Sequence, residues 1–163
     1  YAPRRRATIR TYSVAPKVRP ATIGKCDMAT TSSVTAPSAI QIDDLFEYDR
    51  VFQDAFNAAD LEGLVSLYES DAVFVPSPGQ VATGTDSLRE VFASFLATKP
   101  SFELKMTSLH QVGDLALESS TWKMKGNDPE GNPMALGGTC SGVLRLQSDG
   151  RWLFVIDNPF ASE

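Results

Sequence analysis

His110 is the only histidine in the chain, and Asp157 closes the apolar run Trp152 to Ile156. An imidazole and a carboxylate in an apolar setting are the residue types that general acid–base chemistry needs, because burial can bring such groups toward neutral pH. They form the first candidate catalytic pair. Each has an ordinary alternative. His110 follows Phe102, Leu104 and Met106 along one face if the strand stays regular, so it points inward, or it is a hydrogen-bonded rim residue near a strand end. Asp157 shares a face with Leu153 and Val155, where it is either a base of raised pKa or the ion-pair partner of Arg145 on the neighbouring strand.

Other polar groups are fewer still. Tyr68 falls on the apolar face of a short helix, as a core residue with its hydroxyl at the rim or as an acid. Trp122 lies between polar neighbours on a strand, where it packs in the core or offers a stacking surface to a flat ligand. Ser77 is the hydroxyl of the loop "PSPG", a position that suits a solvated turn. Cys26 and Cys140 are too few for a disulfide framework, and one histidine allows no zinc-type spacing. No metal and no cofactor is therefore expected, and Cys140 reads as a small core residue. The expected pocket lining is Phe52, Phe56, Tyr68, Phe92, Met106 and Trp122.

These residues must be positioned by elements that the periodicity predicts. Leu45, Tyr48, Phe52, Ala55, Phe56 and Ala59 recur at helical spacing behind Asp44, with Glu47 three residues on, which predicts a capped amphipathic helix of about four turns. Asp60 caps a short second helix presenting Leu61, Leu64, Val65 and Tyr68. "DAVFVP" is a short strand, and Thr85 caps a third helix with the stripe Leu88, Val91, Phe92, Phe95 and Leu96. Strands then alternate with Gly- and Pro-containing turns to residue 157, an antiparallel meander. Gly137 and Gly138 within the long strand predict a bulge or bend. The last strand is apolar on both faces, so both sides of the sheet should be covered there.

Residues 1–40 differ in kind from residues 41–163. Seven basic residues precede the first acid, Asp27, and the remainder carries eight basic against twenty acidic residues, a net of −12. The arm is rich in Arg, Ser, Thr, Ala and Pro without apolar periodicity, which is too little to offset the entropy of ordering it. It reads as a targeting segment, a docking arm for a protein partner, or an artefact preceding a native start at Met28. Basic, acid-poor composition suits an organellar transit segment, for plastid or mitochondrion, and "YAP" resembles the start of complex-plastid transit peptides. Without such a role the protein is expected in the cytoplasm. Nucleic acid is not an expected partner, because the acidic domain repels phosphate. No apolar run reaches the roughly 20 residues of a membrane helix.

The segments "FNAADLEGLVSLYESDAVFVPSPG", "GTDSLREVFASFL", "VGDLALESSTWKMKG" and "DGRWLFVIDNP" resemble the landmarks of the SnoaL-like, ketosteroid-isomerase-related proteins of the nuclear-transport-factor-2-like superfamily, over roughly residues 42 to 160. The resemblance implies an α+β fold, three N-terminal helices packed on a curled antiparallel sheet (the cystatin-like cone), with a conical pocket and a homodimer joined through sheets. It also implies positions for steroid isomerisation. The helix-one tyrosine position falls near Phe52, the base position at Val75 or Pro76, and the later acid position near Gly142 or Val143. None of these side chains moves a proton, so that reaction is not expected. His110 also lies outside the helical segment where dehydratase-type relatives keep a histidine.

Two functions from different classes follow as expectations. One is a small-molecule site, an apolar ligand in the cone with or without lyase, isomerase or oxidoreductase-type chemistry. The other is a non-catalytic dimeric accessory subunit of an organellar assembly, docked through the basic arm.

Overall fold

The computed structural model describes residues 10–12, 42, 44–128 and 130–161. Asp44 accepts a hydrogen bond from the Phe46 amide at 3.0 Å and opens a single 3₁₀ turn, Leu45–Glu47, that runs into α1, Tyr48–Asn57. Tyr48, Phe52, Ala55 and Phe56 bury one face of α1. Asp60 caps α2, Leu61–Ser66, by accepting from the Gly63 amide at 2.9 Å. A six-residue helix leaves no room for a further turn. Tyr68, expected on α2, instead begins strand β2, Tyr68–Phe74.

The third helix, α3, spans Gly84–Leu96 and follows the short strand β3, Ala82–Thr83. Thr83, not Thr85, occupies the cap position, and Thr85 Oγ1 donates to the Ser70 carbonyl at 3.5 Å. Gly84 starts the helix at φ +81, a left-handed value that suits a residue without Cβ. Leu88, Phe92 and Leu96 recur at four-residue spacing on its buried face.

Strands β4 (Ser101–Val112), β5 (Leu115–Asn127), β6 (Pro133–Leu146) and β7 (Trp152–Asn158) form the expected meander. The sheet as a whole is mixed rather than antiparallel, because β2 lies parallel to β7. The helices also do not all precede the sheet, since β2 and β3 separate α2 from α3. Three residues of the basic arm, Arg10–Tyr12, form β1 and pair with Leu109–Gln111 of β4, giving the order β1-β4-β5-β6-β7-β2-β3. The expectations for the rest of the arm, Met28 included, lie outside the described residues.

The free edge of β4 nearer its start is covered by α1. Asn57 Oδ1 and Gln53 Oε1 accept from the Phe102 and Leu104 amides at 2.8 and 3.0 Å, and Asp49 Oδ2 from Met106 at 3.5 Å. Spacings of four along the helix meet spacings of two along the strand, so one helix face satisfies successive edge donors.

Register shifts decide which residues face inward. Between Met106 and Ser108 the β4–β5 pairing slips by one residue, so Leu109 is buried and His110 turns outward. In β7, Val155 is the extra residue between the Phe154 and Ile156 pairings with β6. The inward set is therefore Trp152, Phe154 and Asp157, and Asp157 parts from Leu153 and Val155. Gly137 and Gly138 pair with β5 without interruption, so no bulge falls at these two residues. Their hydrogens make room instead: a Cβ on Gly137 would lie 2.9 Å from the Trp122 carbonyl oxygen, and one on Gly138 would lie 3.1 Å from Trp122 Nε1.

Candidate functional site

Between the helices and the inner face of the sheet lies a cavity of about 120 Å³. Phe52 and Phe56 from α1, Phe92 and Phe95 from α3, Phe102 and Trp122 from the sheet, and Phe160 after β7 give it an aromatic wall. Phe56 and Phe102 stack at 4.6 Å, and Trp122 meets Phe160 edge-on at 5.7 Å. The Trp122 indole N–H donates to the Pro159 carbonyl at 2.7 Å, which fixes the segment after β7 against the cavity.

Asp157 is the only carboxylate among the lining residues. Its burial pushes the carboxyl up to about 6, against a hydrogen bond from Tyr68 that lowers it. Tyr68 Oη donates to Asp157 Oδ2 at 2.6 Å. The expected Arg145 pair does not form: Arg145 bonds Glu69 at 3.4 Å on the far side of the residue alternation, where it is exposed. Tyr48 also lines the cavity, and burial together with the nearby Glu118, Asp157, Cys140 and Tyr68 holds its phenol well above its ordinary range.

Of the residues expected to line a pocket, Phe52, Phe56, Phe92 and Trp122 do so. Tyr68 and Met106 are buried but stand behind the wall. Pro76 lines the cavity at the end of β2, so the position expected for a base carries no proton-transfer group. Ser77 belongs to a turn closed by the Gln80 amide on its carbonyl. His110 and Asp157 are not brought together. His110 is paired with Leu117, Leu117 with Val143 and Val143 with Ile156, a row on the outer face, whereas Asp157 faces inward.

Glu118 is the residue that sequence reasoning missed. It is fully buried, with Ser120 Oγ donating to Oε2 at 2.6 Å and the Cys140 thiol donating to Oε1 at 3.7 Å. Burial first, and then the Asp157 charge, raise its carboxyl to about 8, against hydrogen bonds that lower it. The signal was present, since Ala116, Ser120, Trp122 and Met124 alternate with it in phase on β5. Burial pushes the Cys140 thiol up as well, which makes it unreactive rather than nucleophilic. Among the described residues no His, Cys, Asp or Glu cluster suits a metal ion, and no helix is long and apolar enough to cross a membrane.

A mixed sheet with helices on one face around an aromatic cavity defines the α+β architecture of cystatin-like, nuclear-transport-factor-2-like proteins. The chain belongs to the SnoaL-like domain family, whose pattern it matches over residues 48–155. Among solved structures, a conserved protein from Planctomyces limnophilus is similar at 18% identity, with 68% of this chain and 88% of that one covered and a TM-score of 0.61. A ketosteroid isomerase-like protein from Erwinia carotovora is similar at 23% identity, 67% and 86% coverage and a TM-score of 0.55. A protein with a cystatin-like fold from Nostoc punctiforme is similar at 17% identity, 70% and 85% coverage and a TM-score of 0.57. No curated protein matches the chain. At these identities the likeness is one of fold.

Proposed function

We propose that the domain binds a small, flat, largely apolar molecule in the aromatic cavity, with one polar group of the ligand at Asp157. The observation that carries this reading is the presence of a single carboxylate in an otherwise apolar and aromatic wall. An apolar cavity of about 150 Å³ holds benzene, so a cavity of about 120 Å³ suits a single ring better than a fused polycycle. At pH 7 and above Asp157 is mostly ionised and accepts a hydrogen bond from the ligand. A carboxyl that titrates near 6 also exchanges protons readily at neutral pH, so Asp157 is the base of any proton transfer in the cavity.

Phenol and benzene test this. Chemical-shift titration at pH 7.5 is expected to show both at Phe52, Trp122 and Asp157, with phenol about fivefold tighter, the worth of roughly 1 kcal/mol of hydrogen bonding. D157N should abolish the difference. Binding of neither probe at these residues overturns the reading.

We also propose that a second copy covers the outer face of the sheet. Leu117 and Ile156 flank Val143 across three strands and are 46% and 44% exposed. The expected result is a dimer by light scattering that L117K dissociates; a monomer at all concentrations sinks the idea.

A further inference from the structure

Glu118, Gly142 and Asp157 stand directly opposite one another on β5, β6 and β7, in one row on the inner face. The middle residue has no side chain, so only backbone separates the two acidic residues. That gap is filled by Glu118 itself: a Cβ on Gly142 would lie 2.7 Å from Glu118 Oε1 and 2.6 Å from the Phe154 ring. Both acids are buried, Glu118 completely and Asp157 at 4% exposure.

We propose that Glu118 and Asp157 act as one unit carrying a single negative charge, with Glu118 the proton-bearing positioning residue that leaves Asp157 the only anion beside the cavity. The proposal rests on the reading of Asp157 as the ligand's polar partner. Two carboxylates in a low-dielectric interior do not both ionise near neutral pH without a neutralising cation, because the second must ionise against the charge of the first. The groups around Glu118 supply none. Ser120 lies on its own strand, Cys140 and the Gly142 amide are on β6, Asp157 is on β7, Tyr68 is on β2 and Tyr48 is on α1. The hydrogen bonds from Ser120, Cys140 and Gly142 moderate the cost of ionising Glu118 without cancelling it, while Tyr68 stabilises the charge on Asp157. The charge is thereby directed to the member of the pair that lines the cavity. Glu118 holds its proton two strands away, on β5, and is not among the residues that line the cavity.

Carbon-13 carboxyl titration of the wild-type chain and of D157N tests the pairing. In the wild type Asp157 is expected to titrate near 6 and Glu118 near 8, so that one carboxyl is ionised at pH 7. In D157N the Glu118 midpoint should fall by roughly one pH unit, because the like charge is gone. A Glu118 ionised at pH 7, or a midpoint indifferent to D157N, overturns the proposal. E118Q, which retains the neutral shape, should bind phenol within twofold of wild type at pH 7.5. A loss of tenfold or more would place Glu118 in direct contact with the ligand and overturn its positioning role. The two readings fail separately. Absent phenol binding with intact titrations removes the ligand reading alone, and altered titrations with intact binding remove the pairing alone.

Discussion

The Tyr68 hydroxyl donates to Asp157 Oδ2 across 2.6 Å, joining the first residue of β2 to the inner face of β7, 89 residues later in the chain. The bond is buried and its acceptor is the single carboxylate of the cavity wall, so it links the packing of the core to the charge of the site. Phe154 stacks on Tyr68 at 5.0 Å and holds the phenol ring in place for this bond.

Tyr68→Phe keeps that stacking and removes the donor. A hydrogen bond to a charged group contributes roughly 1.5 to 3 kcal/mol, and urea denaturation at pH 7.5 should show a loss of that order. Because the Tyr68 bond lowers the Asp157 pKa, its removal should also raise the Asp157 midpoint above the wild-type value of about 6. Carboxyl titration reads this directly, and an unchanged midpoint would show that the bond is absent in solution.

Stability should fall as pH rises. Asp157 moves from an ordinary 3.8 to about 6 on folding, and Glu118 from 4.5 to about 8. Between those values the folded chain holds more protons than the unfolded chain, so each contribution is complete below the unfolded pKa and lost as pH climbs through the folded one. Urea midpoints should therefore drop from pH 5 to pH 8.5, by on the order of a few kcal/mol in free energy. E118Q should remove most of the decline above pH 6, whereas between about pH 4 and 6 both acids contribute and D157N should remove about half of it. A flat wild-type profile contradicts the burial of both acids.

Much of this arrangement can be read from residue types. The stripe of α1, the Asp60 cap and the turn at Gly113 follow from local pattern, because helix faces and tight turns are determined within a few residues. The facing of His110 and Asp157 is not local. Each depends on one slipped pairing, near Thr107 and at Val155, and a slip of one residue inverts everything beyond it. Glu118 is a different case. Its phase with Ala116 and Trp122 was visible, but a charged residue on an apolar face is ordinarily assigned to solvent unless its donors are known. Here Ser120 lies two residues along, while Cys140 is 22 residues away.

His110→Ala should be nearly silent. Within one chain the side chain is exposed on the outer face, so its truncation should cost the fold of the subunit no more than about 0.5 kcal/mol. Phenol affinity at pH 7.5 should not change. A tenfold loss would mean that His110 reaches the cavity and that the slip in β4 is misplaced.

Trp122→Phe separates the latch from the packing. Phenylalanine keeps an aromatic ring between Phe102 and Phe160 but has no N–H for the Pro159 carbonyl, which Trp122 now reaches at 2.7 Å. The net loss in global stability should be about 1 kcal/mol. The local effect should be larger, because the segment after β7 is otherwise tied to the sheet by the Ala161 amide on the Thr139 carbonyl at 3.0 Å. Faster hydrogen exchange at Ala161, with strand β5 unchanged, is the expected result. Since Pro159 and Phe160 line the cavity, phenol should also dissociate faster from this variant than from the wild type. Equal exchange at Ala161 in both proteins would show that the indole bond does not hold the segment, which would then rest on the Ala161 amide bond and the ring contact of Phe160 with residue 122.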